Sequence, residues 1–158
     1  MKDQASLQSG PTLGEIGLDN FPTYLMNRIM ARYNATLQSQ IRSLGLNTAK
    51  MRTLAVLSIV EAPLISELAV YSVSEISSLS RALDALEADG LVTRSVDPID
   101  SRAVRVSITA EGRSTFAKVW PDMLASYEAM FEGISDEERH AFIGTLKKML
   151  SNTRIHDF

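Results

Sequence analysis

Cysteine is absent from the 158 residues of this chain. Disulfide bonds, thiolate nucleophiles and cysteine-ligated zinc sites are therefore excluded. The sequence also lacks long hydrophobic runs, because stretches such as residues 54–60 are far shorter than the roughly 20 apolar residues that cross a bilayer. The N-terminal residues contain no apolar segment of the kind found in a secretory signal. We therefore expect a cytoplasmic protein.

The sequence also has no excess of basic over acidic residues. The formal net charge is −3 and the calculated pI is about 5.4. This balance argues against indiscriminate binding of nucleic acid, for which a basic domain is the usual requirement. Residues 119–158 hold seven acidic and four basic side chains. A surface that binds DNA is therefore expected in the middle of the chain.

The two ends of the chain differ in their periodicity. Residues 1–18 mix Gly, Ser, Gln and Pro with little pattern, which predicts a flexible arm. A long helix is predicted from Phe21, with apolar residues at helical spacing from Leu25 to Leu44 and Gly45 as its C-terminal cap. A helix of this length can pack against a second subunit or simply cover the core.

The C-terminal part predicts two more helices. The first begins after Thr109 and contains Pro121, which should kink it, and Gly133 should break it. The second should begin with a capping box from Ser135 to Glu138.

The middle of the chain has a more informative order of elements. A buried helix capped by Asn47 or Thr48 and ended by Pro63 is followed by a short helix to Tyr71. A capping box from Ser72 to Glu75 should open the next helix, whose inward side chains are predicted to be Ile76, Leu79, Leu83 and Leu86. Two alternating segments around residues 97–101 then predict a β-hairpin. A short helix, a tight turn, a helix and a hairpin are typical of a winged helix-turn-helix.

The same residues resemble a known family. The segments 67–69 (ELA), 77–92 (SSLSRALDALEADGLV), 97–102 (DPIDSR) and 106–113 (VSITAEGR) are similar to those of the MarR family of transcription regulators. The resemblance covers roughly residues 21–152 and implies a homodimer that binds duplex DNA. The fold class is then mainly α with one β-hairpin. The resemblance further implies a dimerisation helix at 19–46, a winged helix-turn-helix at 47–110 and C-terminal dimerisation helices at 111–158.

The helix after the turn supplies the candidate DNA-reading side chains. Small hydroxyl side chains let a helix enter the major groove, and an arginine can bind a guanine edge or a phosphate. Serines are poor helix formers, so their number here favours a purpose other than helix stability. The alternative is an ordinary solvated face. The candidates on this helix are Ser74, Ser77, Ser78 and Arg81, and the resemblance adds Ser80.

The hairpin adds candidates at its tip. By the resemblance, Arg102 corresponds to an arginine that enters the minor groove, with Arg105 as a further contact. Asp100 could instead pair with Arg102 and hold the turn, and the two roles are compatible. Ile99 and Ser101 stand where many members of the family have basic residues, so this wing is less positive. Further candidates for phosphate contacts are Lys50, Arg52 and Arg94.

A small-molecule site is also predicted. Aromatic and methionine side chains together with one guanidinium would suit a small aromatic or carboxylate effector, although core packing is the simpler role for each of them. The candidates are Tyr24, Arg28, Tyr33, Met51, Phe116 and Trp120.

The remaining chemistry points away from catalysis. Asp136, Glu137 and His140 share a helical spacing, but a solvated helix start explains them better than a metal site. No catalytic or phosphate-binding motif stands out, so we expect no enzyme activity, no metal and no cofactor. The order of elements predicts a DNA-binding regulator, and the resemblance implies a repressor released by an effector. The alternative is a ligand-sensing or protein-interaction member with weak DNA binding, which the nearly neutral wing favours.

Overall fold

The computed structural model describes residues 10–153 and His156. Residues 1–9 of the expected arm and residues 154, 155, 157 and 158 of the expected C-terminal region lie outside the described residues. The chain divides into two units between Thr36 and Leu37. Across residues 10–153 and at His156, no helix has both the length and the apolar character needed to cross a membrane.

Within the first unit, helical turns lie inside the segment expected to be a loose arm. Helix α1 spans Leu13–Ile16 and a 3-10 helix spans Leu18–Asn20. Thr12 and Glu15 form a capping box, because Thr12 Oγ1 accepts the Glu15 N–H at 3.3 Å and Glu15 Oε2 accepts the Thr12 N–H at 2.7 Å. The expectation of a loose arm therefore needs correction at residues 12–18.

Helix α2 spans Pro22–Ser43, with proline at its first position as predicted. It ends in a Schellman motif, in which the Leu46 N–H donates to the Ile41 carbonyl at 2.9 Å. Gly45 adopts the left-handed conformation that this motif requires, at φ +71°, which confirms its predicted capping role. Leu37 and Ile41 are 1% exposed and belong to the core of the second unit.

Helix α3 spans Thr48–Leu57 and is capped by Asn47, whose side-chain oxygen accepts the Lys50 N–H at 2.9 Å. The helix ends well before Pro63, its predicted end. Ile59 consequently lies in the following turn and is 87% exposed, so its expected burial is wrong. The prediction of a central buried helix is confirmed for Met51, Leu54 and Leu57.

The turn between the two helices of the helix-turn-helix differs from the prediction. Helix α4 spans Ile65–Tyr71 as predicted, but the Ser72 hydroxyl is buried and donates to the Leu68 carbonyl at 2.7 Å. The predicted capping box from Ser72 to Glu75 is therefore wrong. The chain leaves α4 through Val73, which has φ +52°. A β-branched side chain is strained in this left-handed region.

We expect Val73→Gly to stabilise the protein. Glycine relieves the left-handed strain, worth about 1–2 kcal/mol, but its greater freedom in the unfolded chain offsets part of that gain. The melting temperature measured by calorimetry should rise by about 2–4 °C per kcal/mol gained. Val70→Gly is the matched control, because it places glycine inside α4 and should lower stability by about 1 kcal/mol. A melting temperature for Val73→Gly at or below the wild-type value would contradict the assignment of strain.

Helix α5 spans Ile76–Ala88 and follows the predicted pattern except at its start. Leu79, Leu83 and Leu86 are each 0% exposed, as predicted. Ile76 is 61% exposed, so its predicted inward orientation is wrong. The helix begins one residue after Glu75, and Ile76 lies at the edge of the buried stripe in the first turn, where no preceding turn covers it.

The predicted hairpin is confirmed as an antiparallel pair of strands. Strand β1 spans Val92–Val96 and strand β2 spans Val104–Ile108, with the first residue of β1 opposite the last of β2. The Val106 N–H donates to the Pro63 carbonyl at 3.0 Å, which joins β2 to the segment before α4. Buried apolar side chains of α3, α4, α5 and β2 form the core; those at 0% exposure include Leu54, Leu68, Leu79, Leu83 and Val106.

Helix α6 spans Ala110–Met130 and runs through Pro121, so the predicted kink stays a prediction. Thr109 caps it as predicted, accepting the Gly112 N–H at 3.0 Å. Gly133 follows with φ +78°.

Helix α7 spans Asp136–Thr153. The Ser135–Glu138 capping box is confirmed, with the Ser135 N–H donating to Glu138 Oε2 at 2.9 Å and Ser135 Oγ accepting the Glu138 N–H at 3.3 Å. Every residue of α7 is at least partly exposed in the single chain.

Candidate nucleic-acid interface

The face of α5 opposite its buried leucines carries most of the predicted DNA-reading side chains. Ser77, Ser80 and Arg81 are exposed, and Ser74 and Ser78 are half-buried. The Ser74 hydroxyl donates to the Ser72 carbonyl at 3.3 Å, which orients it within the turn. The structure therefore brings Ser77, Ser78, Ser80 and Arg81 together on the first half of α5, with Ser74 in the turn before it.

A groove of about 320 Å³ separates the start of α3 from this face. Its polar lining comes from Asn47, Lys50, Ser78 and Arg81. Lys50, however, forms an ion pair with Asp89 at 3.1 Å, and its side chain is only 14% exposed. This contact ties the start of α3 to the end of α5. Arg52 is half-buried on α3 and has an interaction partner of its own.

Arg94 on β1 is also held by carboxylates of α5. Its Nη2 lies 2.6 Å from Asp84 Oδ1, and its Nε lies 3.5 Å from Glu87 Oε2 without the alignment of a hydrogen bond. The Arg94 main-chain N–H donates to Glu87 Oε1 at 3.1 Å. Arg94 thus joins strand β1 to α5, the helix that carries the candidate DNA-reading side chains, and this arrangement does not favour its predicted phosphate contact.

The base of the wing is built around Asp97, which is 6% exposed. Its Oδ1 accepts the N–H groups of Ile99 at 2.8 Å and Asp100 at 2.7 Å. Its Oδ2 forms an ion pair with Nε of Arg105, whose Nη1 donates to the Ala62 carbonyl at 2.8 Å. Arg105 was predicted to contact DNA, but these bonds commit its guanidinium to holding the wing on the helix-turn-helix.

The tip of the wing presents Arg102. Its side chain is 90% exposed, and its Nε lies 3.2 Å from Asp100 Oδ1. The expected pairing of Asp100 with Arg102 is therefore confirmed. Solvent screening makes such an exposed ion pair weak, so it orients the guanidinium without preventing a contact with DNA.

We expect the Asp97 carboxylate and its hydrogen-bond partners to make the free energy of unfolding depend on pH in the acidic range. Hydrogen bonds from the Asp100 and Ile99 N–H groups, with a smaller contribution from Arg105, lower the pKa of the Asp97 carboxyl. A lowered folded-state pKa adds stability above the unfolded pKa, and that stability is lost as the pH falls through the folded value. Urea unfolding between about pH 2 and 7 should show this loss for the wild type and a shallower dependence for Asp97→Asn. If the free energy of unfolding fell equally with pH in the wild type and in Asp97→Asn, Asp97 would contribute nothing to the pH dependence.

A second groove, of about 510 Å³, lies between the end of α3 and α6. Two predicted effector residues line it: Phe116 and Trp120, whose ring centroids are 6.4 Å apart. Arg113 also lines it and donates to the Ser58 carbonyl at 3.2 Å. Sequence reasoning missed Arg113 and Met123, although 113, 116, 120 and 123 follow the spacing of one helix face.

The remaining predicted effector residues are Tyr24, Arg28, Tyr33 and Met51. Tyr24, Arg28 and Tyr33 belong to the first unit, where the Arg28 guanidinium lies 5.8 Å from the centre of the Tyr24 ring. Partial burial raises the pKa of Tyr33. Met51 is a core residue with 3% exposure.

The histidine cluster considered as a metal site has a structural explanation. His140 Nδ1 lies 2.6 Å from the Asp136 carbonyl oxygen one turn earlier on α7. In the part of the chain that the structure describes, no group of three or more His, Asp or Glu side chains is arranged to hold a metal ion.

Comparison with known proteins agrees with this architecture. The sequence profile of the MarR family matches residues 46–104. A crystal structure of a MarR-family transcriptional regulator from Silicibacter pomeroyi is 52% identical and covers 94% of this chain and 100% of its own, with a TM-score of 0.89. BpsR from Bordetella bronchiseptica, whose DNA binding is regulated by 6-hydroxynicotinic acid, is 26% identical over 81% of this chain and 97% of its own, with a TM-score of 0.70. The transcriptional repressor YetL from Bacillus subtilis is 29% identical over 82% of this chain and 75% of YetL.

A helix-turn-helix with a hairpin directly after it, between long helices at both ends, defines a winged helix-turn-helix transcription regulator. Regulators of this class bind duplex DNA. The chain belongs to the MarR family, whose members act as dimers.

Proposed function

We propose that this protein is a homodimeric repressor that binds a pseudo-palindromic operator and is released by a small aromatic carboxylate. The observation that carries the DNA-binding part is the polar face of α5, where Ser77, Ser80 and Arg81 are exposed above a row of fully buried leucines. A helix whose first turns present hydroxyl and guanidinium groups can donate to both bases and phosphates. The proposed compartment is the cytoplasm, and the proposal assigns no catalytic step.

Two arginines have the strongest case for contacting DNA. Arg81 projects from the exposed face of α5, and Arg102 projects from the tip of the wing. Lys50, Arg94 and Arg105 are held in ion pairs within the protein. Few phosphates are therefore neutralised for each subunit, and the salt dependence of binding should be modest. Specificity then depends more on base contacts than on charge.

The dimer is supported by apolar side chains that the single chain leaves exposed on its terminal helices. Burying such side chains against a second copy is the usual way to remove them from water. They include Leu25 and Ile29 on α2 and Phe142 and Leu150 on α7, at 38%, 47%, 44% and 66% exposure. We propose that α2, α6 and α7 form the dimer interface. Two copies of α5 would then read half-sites about one helical turn apart.

Selection of bound duplexes from a random pool tests the DNA-binding proposal and identifies the operator. We expect one palindromic motif to be enriched, and its advantage over random duplex to persist between about 50 and 200 mM salt. Enrichment of no motif at the lower salt would contradict the proposal. That outcome would favour the alternative, a ligand-sensing or interaction protein with weak DNA binding, for which the ion-paired cations of the wing are the supporting observation.

The effector part of the proposal rests on the groove between α3 and α6. Phe116 and Trp120 supply aromatic surface and Arg113 supplies a cation, a combination that suits a small aromatic carboxylate. The regulation of the relative BpsR by 6-hydroxynicotinic acid supports this chemistry. Because α3 belongs to the helix-turn-helix and α6 leads away from it, a ligand between them can favour one spacing of the two recognition helices. Release requires that the ligand bind better to the DNA-incompetent spacing.

Trp120 is the only tryptophan of the chain, so its fluorescence reports on this groove directly. We expect benzoate and 6-hydroxynicotinic acid to change the emission, whereas benzamide, which lacks the charge, should bind more weakly. Arg113→Met should remove the preference for the charged ligand and retain apolar binding. Equal affinity for benzoate and benzamide in the wild type would contradict the role given to Arg113.

A further inference from the structure

The start of α5 carries apolar side chains that the core does not use. Ile76, the first residue of the helix, is 61% exposed, and Val73, three positions earlier in the turn, is 77% exposed. Single exposed apolar residues are ordinary, but two at the same end of a recognition helix form an apolar feature beside the polar face. Val73 also occupies a strained left-handed conformation at φ +52°. The β-branched side chain of Val73 therefore destabilises the fold through backbone strain and makes few packing contacts that would offset it.

We propose that Ile76 reads the 5-methyl groups of thymine in each operator half-site. This inference rests on the proposed function, since it assigns a specificity to the same helix. N-terminal residues of a recognition helix reach base edges, and Ile76 is followed directly by Ser77 and, one turn on, by Ser80 and Arg81. Its apolar side chain thus lies at the end of α5 that approaches the floor of the groove.

The chemistry of the neighbouring residues selects the partner. The thymine methyl is the apolar group that the major groove presents, and a hydrocarbon side chain is its natural contact. A phosphate is disfavoured at this position, because the exposed carboxylate of Glu75 is adjacent and would repel it. Contact with Ile76 would displace water from a polar base edge and offer it no hydrogen bond in return, which is unfavourable.

The test replaces thymine by uracil in the operator obtained from the random pool. Uracil keeps the Watson–Crick pairing and removes only the methyl group. For the wild-type protein, uracil at the contacted position should weaken binding about fourfold in one half-site and about fifteenfold in both, from the loss of one buried methyl each. Fluorescence anisotropy with a labelled duplex, scanned one thymine at a time, measures these changes.

Ile76→Ala identifies the side chain responsible. The variant should bind the thymine operator about as weakly as the wild type binds the uracil operator, and uracil should cost it nothing further. Ile134→Ala is the matched control, because Ile134 is 45% exposed and lies in the turn between α6 and α7, away from α5 and from both grooves. It should retain the full uracil penalty.

Two results would overturn the inference while leaving the proposed function intact. One is the finding that no thymine-to-uracil change in the operator weakens binding by the wild-type protein. The other is an Ile76→Ala protein that loses as much affinity to uracil as the wild type, because another residue then reads the methyl. If the random pool yields no motif at all, the proposed function fails and this inference fails with it.

Discussion

Gly112→Ala is expected to lower the free energy of unfolding by about 3 kcal/mol or more. A Cβ atom at this position would overlap the main-chain carbonyl oxygen of Leu91 and would lie 2.8 Å from Cγ1 of Ile108. The carbonyl cannot move aside cheaply, because it accepts the Thr109 N–H at 3.0 Å, and the Leu91 N–H donates to the Leu86 carbonyl at 2.8 Å. The first turn of α6 therefore packs backbone against backbone on the segment that joins α5 to the wing.

Urea unfolding followed by far-ultraviolet circular dichroism measures this effect as a lower midpoint. The matched control is Gly144→Ala in α7, where an added Cβ meets no atom of the described chain within 4 Å. That variant should gain about 0.5–1 kcal/mol from the higher helix propensity of alanine. If Gly112→Ala unfolded at the wild-type midpoint, the close approach of α6 to Leu91 would be refuted.

Arg81→Ala is expected to weaken binding to the selected operator about a hundredfold or more. A specific arginine contact is worth about 1–3 kcal/mol, and a symmetric dimer loses it twice. Arg81 is exposed beside Ser77 and Ser80 on the face of α5 that the core leaves free, so its removal should leave the fold intact. Affinity for random duplex should fall much less than affinity for the operator, because base contacts carry the specificity.

The control for this variant is Arg139→Ala on α7, where the arginine pairs with Asp136 on the same helix. It removes the same charge from a part of the chain that the proposal assigns to the dimer, and operator affinity should stay within about twofold of wild type at saturating dimer. Operator and random duplex weakened equally by Arg81→Ala would show that Arg81 contacts only phosphate. Unchanged operator affinity would show that Arg81 makes no contact with the operator.

Local signals in the sequence predicted most of the secondary structure. The caps at Thr109 and Ser135 were predictable because each needs only a side chain and an N–H a few residues away, and Asn47 was one of two candidates for the cap of α3. The hairpin was predictable because apolar and polar side chains alternate over five residues, a pattern that fits a strand and not a helix. At Ser72 the same kind of reasoning failed, since its hydroxyl bonds back to α4 instead of forward to α5.

Side-chain roles were harder to predict where they depend on partners distant in sequence. Arg105 is an example, because its guanidinium is held by Asp97 and by the Ala62 carbonyl, 43 residues away. Lys50 is another, since Asp89 is separated from it by 39 residues. A list of basic residues in the sequence could not separate these internal cations from Arg81 and Arg102.

The order of helices and strands from α2 onward, most of the helix caps and the membership of the MarR family were encoded in short stretches of sequence, because capping and hydrophobic periodicity act over a few residues. Which cations remain available to DNA, which way Ile76 faces and which arginine lines the groove with Trp120 were settled only in three dimensions. These properties depend on contacts between segments that meet after the chain has folded, and no local pattern contains that information.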